Sequence, residues 1–159
     1  METVYIETSV VSYLVSRPSR YLIVAAHQQL TREWWENRRA KFVCFISEVV
    51  LDEARDGDAE QAALRLQALE GLPRLAATPE AEKLAAAFLE SVLPKKAARD
   101  AAHLAIVTVC KVKYLLTWNC SHLANAQILD RLEPIAAAAG FKLPRVCTPE
   151  ELMGVSIYE

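Results

Sequence analysis

The run Thr3-Val4-Tyr5-Ile6 is a short, apolar and β-rich segment, and Glu7-Thr8-Ser9 follows it directly. β-Branched and aromatic residues in such a run favour a strand. Segments of the same kind recur along the chain, although Pro73 weakens one of them. They predict further strands over residues 42–46, 72–77, 114–117 and 145–147.

Segments with a helical spacing of apolar residues separate these strands. Polar residues that commonly cap a helix N-terminus precede four of these segments: Ser19, Ser47, Asp58 and Thr78. Two further helices are predicted over residues 97–110 and 125–139. Strands that alternate with helices favour a parallel sheet covered on both faces. The sequence therefore predicts a three-layer α/β/α fold with a central, mostly parallel sheet.

Length and composition fit one domain spanning residues 1–159, and a hydrophobic content of 53% supports a packed core. Glu2 and Glu7 interrupt any apolar N-terminal run, and charges break the alanine-rich stretches short of the roughly 20 residues that cross a bilayer. These features predict a cytoplasmic protein without a membrane partner. The net charge of −2 excludes a protein that holds nucleic acid by bulk positive charge.

The four cysteines are scattered at positions 44, 110, 120 and 147, and they form no C-x-x-C pair. Zinc sites and redox motifs usually show closely spaced cysteine pairs. The spacing therefore favours buried, reduced thiols over a metal or redox role.

Four polar residues occupy positions that a purely structural sequence would avoid. Glu7 ends an apolar strand, and Asn119 follows the strand predicted over 114–117. Glu53 shares a helix face with two valines that favour the core, and Asp100 lies early in an alanine-rich helix. Open α/β sheets place their ligand crevice at the carboxyl ends of the strands. We therefore expect these four residues to surround one crevice.

Carboxylates brought together repel one another, and a divalent cation is the simplest compensation. Oxygen ligands favour a hard ion, Mg²⁺ or Mn²⁺. Each residue also has a structural interpretation that stays open. These are a helix N-terminal acid for Glu7, a solvated acidic helix face for Glu53, an ion pair with Lys96 for Asp100 and a turn residue for Asn119.

Four short motifs, in order and with the expected separations, resemble those of the PIN-domain nucleases, particularly the VapC toxins of bacterial VapBC toxin–antitoxin pairs. They are Val4-Tyr5-Ile6-Glu7-Thr8-Ser9, Ser47-x-x-Val50-x-x-Glu53, Asp100-Ala101-Ala102-His103-Leu104-Ala105 and Tyr114-Leu115-Leu116-Thr117-Trp118-Asn119. The resemblance covers nearly the whole chain. The family more commonly has Asp at the first acidic position and often at the fourth, where this chain has Glu7 and Asn119.

The resemblance implies hydrolysis of RNA phosphodiester bonds by a metal-dependent endoribonuclease. Its catalytic residues would be Glu7, Glu53, Asp100 and Asn119. Glu7, Asp100 and Asn119 would hold the metal, Mg²⁺ or Mn²⁺, and Glu53 would ligate a second ion or act through water. A hydroxyl of Thr8 or Ser9 would orient Glu7 or a water molecule at the metal.

The same resemblance implies an RNA substrate, a second copy of the chain in a homodimer, and an antitoxin protein that blocks a negatively charged pocket with no basic side chain of its own. Thr8, Ser9, Lys96 and Arg99 are the candidate substrate-binding residues, with a solvated helix start as the alternative for the two cations. His103 and His122 are acid–base candidates, although a hydrogen-bonded core histidine is favoured for His103.

Two other interpretations of the chain remain open at this point. One is a catalytically inactive PIN-like RNA- or protein-binding module, which the asparagine at position 119 suggests. The other is a nuclease of RNA maturation that has no toxin role.

Overall fold

The computed structural model describes residues 1–154, and over that range helices and strands alternate. The strands are β1 (Glu2–Ile6), β2 (Phe42–Ser47), β3 (Arg74–Leu75), β4 (Tyr114–Leu116) and β5 (Arg145–Cys147). The helices are α1 (Thr8–Val15), α2 (Leu22–Asn37), α3 (Glu48–Ala54), α4 (Ala59–Leu69), α5 (Pro79–Ser91), α6 (Ala98–Val109) and α7 (Ala126–Ala138). Short 3-10 helices cover Arg39–Lys41 and Lys95–Ala97.

The five strands form one sheet in the order β3-β2-β1-β4-β5, and all neighbouring pairs are parallel. Val4 in the central strand lies opposite Cys44 on one side and Tyr114 on the other. Val4, Tyr5 and Ile6 are completely buried, as is typical of a parallel strand covered on both faces. The sheet is therefore fully parallel, where the sequence predicted a mostly parallel one.

Helices cover both faces of the sheet. In the sheet, β2 and β3 lie on one side of β1, and β4 and β5 lie on the other. The chain therefore adds strands in one direction up to β3 and in the opposite direction from β4 onward. Because parallel crossover connections are right-handed, the two directions place their helices on opposite faces. The packing agrees, since α1 contacts α2, α3 and α4 while α5 contacts α6 and α7. The predicted three-layer α/β/α architecture is confirmed.

Two of the predicted helix caps have the expected geometry. Thr78 accepts a hydrogen bond from the backbone N–H of Ala81 at 3.2 Å, and Pro79 occupies the first helical turn. Asp58 likewise accepts from the N–H of Gln61 at 3.0 Å. These caps satisfy donors that have no partner within the helix.

The predictions for Ser19 and Ser47 as capping side chains are wrong. α2 begins at Leu22 after Tyr21, because Ser19 uses its hydroxyl to accept from Tyr21 N–H in a turn before the helix. Ser47 stands at the position before α3 but makes no capping bond, since its hydroxyl contacts the Tyr5 hydroxyl instead.

Helix α1 was not predicted from the sequence. Its residues Thr8–Val15 are rich in β-branched side chains, which are poor helix formers. The side chain of Glu7 caps the helix by accepting from the backbone N–H of Ser9 at 3.1 Å, and Val10 and Val11 are completely buried. Tertiary packing and an unusual cap thus override the local propensity.

All four cysteines are free thiols. Cys44 and Cys147 are buried, and burial raises the pKa of Cys44 to about 11 and that of Cys147 to about 12. Cys120 is exposed, so the prediction of buried thiols fails there. Within residues 1–154, no helix has the length and apolar character needed to cross a lipid bilayer.

We expect Leu115→Ala to lower the free energy of unfolding by about 2–5 kcal/mol, because Leu115 is completely buried in β4 and its truncation leaves a cavity. Leu22→Ala is the matched control, since Leu22 is 86% exposed and a surface change should alter stability by about 0.5 kcal/mol or less. Urea denaturation of both variants measures the difference. Equal losses would contradict the burial of β4.

Candidate active site

The strand order reverses between β1 and β4, which are neighbours at the centre of the sheet. Such a switch point opens a crevice at the carboxyl ends of the two strands. Glu7 follows β1 there, and its backbone N–H continues the ladder by donating to the carbonyl of Leu116 at 3.0 Å. Thr117 to Asn119 leave the end of β4 at the same edge. The fold thus brings Glu7 and the residues after β4 together, as predicted.

Glu7 is 4% exposed, yet its carboxylate is well supplied with hydrogen-bond donors. The hydroxyls of Ser9 and Thr117 both donate to Oε1 at 2.5 Å, and the N–H of Ser9 donates to Oε2 at 3.1 Å. Ser9 therefore orients Glu7, which is one of the roles predicted for it. The structural interpretation of Glu7 as an acid at a helix N-terminus also holds, because Glu7 caps α1.

The two hydroxyl groups that donate to Glu7 also accept hydrogen bonds from the loop after β4. Ser9 Oγ accepts from Trp118 N–H at 2.8 Å, and Thr117 Oγ1 accepts from Asn119 N–H at 2.9 Å. The start of α1 and this loop are therefore joined through Glu7. Thr117 was not among the predicted site residues, although a hydroxyl at the end of a neighbouring strand was the available signal.

Glu53 lies on α3, and its side chain is 21% exposed. Its Oε1 accepts from the Thr8 hydroxyl at 2.7 Å and lies 2.5 Å from Nε2 of His103. Burial raises the pKa of Glu53, but the hydrogen bonds from His103 and Thr8, together with electrostatic attraction to His103 and Arg99, outweigh it, and the net pKa is lowered. The alternative of a solvated helix face is wrong for this residue.

His103 is completely buried on α6, and both of its ring nitrogens have partners. Nδ1 lies 2.7 Å from the hydroxyl of Tyr5, which in turn lies 2.7 Å from the hydroxyl of Ser47. Burial raises the pKa of Tyr5, so its hydroxyl keeps its proton. The favoured interpretation of His103 as a hydrogen-bonded core histidine is confirmed, and Ser47, Tyr5, His103 and Glu53 form one continuous chain of contacts.

Asp100 and Asn119 share a second group of contacts. Asp100 Oδ2 lies 2.9 Å from Nδ1 of His122, whereas the expected alternative partner was Lys96. Asn119 Oδ1 accepts from the N–H groups of Ser121 and His122 at 3.2 and 3.1 Å, as a turn residue does. Because Asn119 N–H also donates to Thr117, this group is hydrogen-bonded to the one around Glu7.

Glu7, Glu53 and His103 each offer a ligand atom, and these atoms lie within 4.8 Å of one another, close enough to hold a metal ion. This group contains Glu7, a predicted metal ligand, and Glu53, which was predicted to ligate a second ion or to act through water. Asp100 and Asn119 as ligands stay predictions. Two histidines also contact these acids: His103 contacts Glu53, and His122 contacts Asp100.

The donor chemistry of this group fits a hard divalent cation held by its carboxylates. Glu7 and Glu53 supply oxygen atoms, the ligands that Mg²⁺ and Mn²⁺ prefer. Neither nitrogen of His103 is free, because Nε2 contacts Glu53 and Nδ1 contacts Tyr5. The two glutamates are therefore the residues that would hold an ion, with His103 supporting one of them.

The four candidate substrate-binding residues differ in their availability. The hydroxyls of Thr8 and Ser9 are already engaged with carboxylates. Arg99 pairs with Asp56 at 2.8 Å and remains 54% exposed, and Lys96 is exposed in the short helix before α6. Both cations thus lie next to the segment that carries Asp100.

A cavity of about 710 Å³ lies elsewhere on the described chain. It is lined partly by Lys111, Lys113, Lys142 and Arg145, at the amino ends of β4 and β5. The acidic group lies at the carboxyl ends of the strands, so this basic cavity is separate from the candidate active site.

Comparison of the chain with protein-family models, with curated proteins and with solved structures finds no match. The resemblance carried by the four motifs stays a prediction, and the function has to be argued from the geometry of the site.

Proposed function

We propose that this protein is a divalent-metal-dependent ribonuclease that hydrolyses RNA phosphodiester bonds. One observation carries the proposal. Glu7 and Glu53, 46 positions apart in the sequence, present ligand atoms within 4.8 Å of each other at the switch point of a parallel sheet. Paired carboxylates at such a crevice are suited to holding a divalent cation against a phosphate group.

Glu7 and Glu53 would hold Mg²⁺ or Mn²⁺ in this proposal, with Asp100 and Asn119 completing the site from the loop side. The cation, when bound, activates water for attack on phosphorus and stabilises the negative charge that develops on the phosphate. The protein's own part is to fix the carboxylates: Ser9 and Thr117 hold Glu7. Lys96 and Arg99 would contact the neighbouring RNA phosphates.

The proposal extends to a toxin of a toxin–antitoxin pair, with an antitoxin protein and a second copy of the chain as partners. Three consecutive apolar residues at the start of α2 support a protein partner, because each is largely exposed. They are Tyr21 at 72%, Leu22 at 86% and Ile23 at 72% exposed. Isolated exposed apolar residues are ordinary, whereas a contiguous group favours an interaction surface.

A second candidate is a catalytically inactive PIN-like module that binds RNA or protein. The observation in its favour is that histidines contact two of the acids and that the Asn119 side-chain oxygen is used within its own turn. Such contacts stabilise the acidic group without an ion. The two candidates differ in whether the protein binds metal and cleaves RNA.

We expect the purified protein to cleave single-stranded RNA with Mg²⁺ or Mn²⁺ and to stop when a chelator is added. Asp100→Asn and Glu7→Gln should each lower the cleavage rate more than roughly 100-fold, the upper end of the loss seen when only a supporting residue is removed. Asp130→Asn is the control, because Asp130 is exposed on α7. Rates come from gel-resolved time courses, and wild-type cleavage by Asp100→Asn would refute this site.

Metal binding gives a test that does not depend on finding the right RNA. At a Mn²⁺ concentration 100 times its dissociation constant, the protein should gain about 2.7 kcal/mol in unfolding free energy. Glu7→Gln should remove this gain, and Asp130→Asn should keep it. Calorimetric titration and thermal melts measure both quantities, and a protein that binds no ion at millimolar Mn²⁺ is the inactive module.

A further inference from the structure

The chain of contacts from Ser47 through Tyr5 and His103 to Glu53 lies behind the acidic group. It joins four elements. Tyr5 lies on β1, and Ser47 ends β2 directly before α3. Glu53 lies on α3 and His103 on α6. The residues at its centre, Tyr5 and His103, are completely buried. This chain of contacts therefore connects both ends of α3 to the central strand β1 and to α6 on the other face of the sheet.

One direction of these hydrogen bonds fits all the groups when the His103 ring carries a single proton. An ionised carboxylate only accepts, so Nε2 of His103 donates to Glu53. With its proton on Nε2, the ring accepts at Nδ1, and the Tyr5 hydroxyl donates to it. The oxygen of Tyr5 then accepts from Ser47. One consistent set of donors thus runs from Ser47 to Glu53.

Glu53 receives its hydrogen bonds on one side of its carboxylate. Thr8 and His103 both donate to Oε1, and no hydrogen bond from residues 1–154 reaches Oε2. Two donors on one oxygen fix the plane of the carboxylate. The other oxygen is left for a ligand.

We propose that Tyr5 and His103 are positioning residues that fix Glu53 with Oε2 presented to the cation. This inference rests on the proposed metal-dependent function and adds a requirement to it. His103 acts through Glu53 and does not itself bind the ion, although one of its ring nitrogens belongs to the group of atoms close enough to do so.

Tyr5→Phe tests the proposal, because it removes only the hydroxyl that fixes the ring of His103. We expect the Mn²⁺ dissociation constant to rise about 10-fold and the RNA cleavage rate to fall by a similar factor, as for other residues that support a metal ligand. Tyr114→Phe is the matched control in the neighbouring strand, where the hydroxyl contacts Glu2 away from the acidic group.

Two substitutions of His103 separate positioning from direct metal binding. His103→Leu removes the donor to Glu53 and should weaken Mn²⁺ binding at least as much as Tyr5→Phe. His103→Gln keeps an amide N–H at the place of Nε2 and should restore a substantial part of the affinity. A His103→Gln variant as weak as His103→Leu would indicate that the imidazole binds the ion, and the proposal would fail.

The ¹⁵N chemical shifts of the histidine rings give a readout that stability alone does not change. In the metal-free wild type we expect the proton of His103 on Nε2 and a hydrogen-bonded Nδ1. In folded Tyr5→Phe the proton should stay on Nε2, because Glu53 still accepts it, and the ¹⁵N shift of Nδ1 should move toward that of a ring nitrogen without a donor. A proton on Nδ1 in the wild type, or wild-type Mn²⁺ affinity in folded Tyr5→Phe, would overturn the inference while leaving the nuclease proposal intact. A wild-type protein that binds no Mn²⁺ would instead overturn the function itself.

Discussion

The buried carboxylate of Glu7 lies where the strand order of the sheet reverses, between the ends of β1 and β4. Glu7 directly follows β1, and β4 ends beside it. The helices that follow these two strands leave toward opposite faces of the sheet. Removing an ionised carboxylate from water costs several kcal/mol unless hydrogen bonds replace the lost hydration. Here Ser9 supplies two donors and Thr117 supplies one, and charge-assisted bonds of this kind are roughly twice as strong as neutral ones. Glu7 therefore caps α1 and lies at the crevice, and its need for hydrogen-bond donors explains the hydroxyl side chains around it.

Most of the fold could be predicted from the sequence because its signals are local. Apolar β-rich runs identify the strands, and caps such as Thr78 act within one turn of helix. Helix α1 could not be predicted, because Thr8–Val15 has the composition of a strand and Glu7 is not a usual capping residue. Ser47 shows the converse. It is a residue type that commonly caps a helix and stands at the capping position, but its hydroxyl contacts the hydroxyl of Tyr5, 42 positions away. Local chemistry predicts an element well only where no distant partner competes for its polar groups.

The acids of the candidate site could also be predicted, since a carboxylate among apolar residues is conspicuous in a sequence. Their partners could not. The contact between His103 and Glu53 spans 50 positions, and the one between His122 and Asp100 spans 22. Nothing near these histidines indicates which acid each one meets. The acids are therefore held by hydrogen-bond donors, whether or not a cation is bound. A metal ion would then add to an arrangement that the protein already stabilises.

The hydrogen bonds to the two glutamates are unevenly distributed, and this favours a ligand on one side of each. Oε1 of Glu7 takes two hydroxyl donors and Oε1 of Glu53 takes a hydroxyl and an imidazole. An oxygen with two lone pairs is saturated by two donors. Oε2 of Glu7 takes one N–H, and Oε2 of Glu53 takes none from the described residues. The unused acceptor capacity thus lies on one oxygen of each acid, in side chains whose orientation is already fixed. A cation that bound there would meet ligands that are already oriented, and little ordering would be needed, which is the physical basis for the metal site proposed in this crevice.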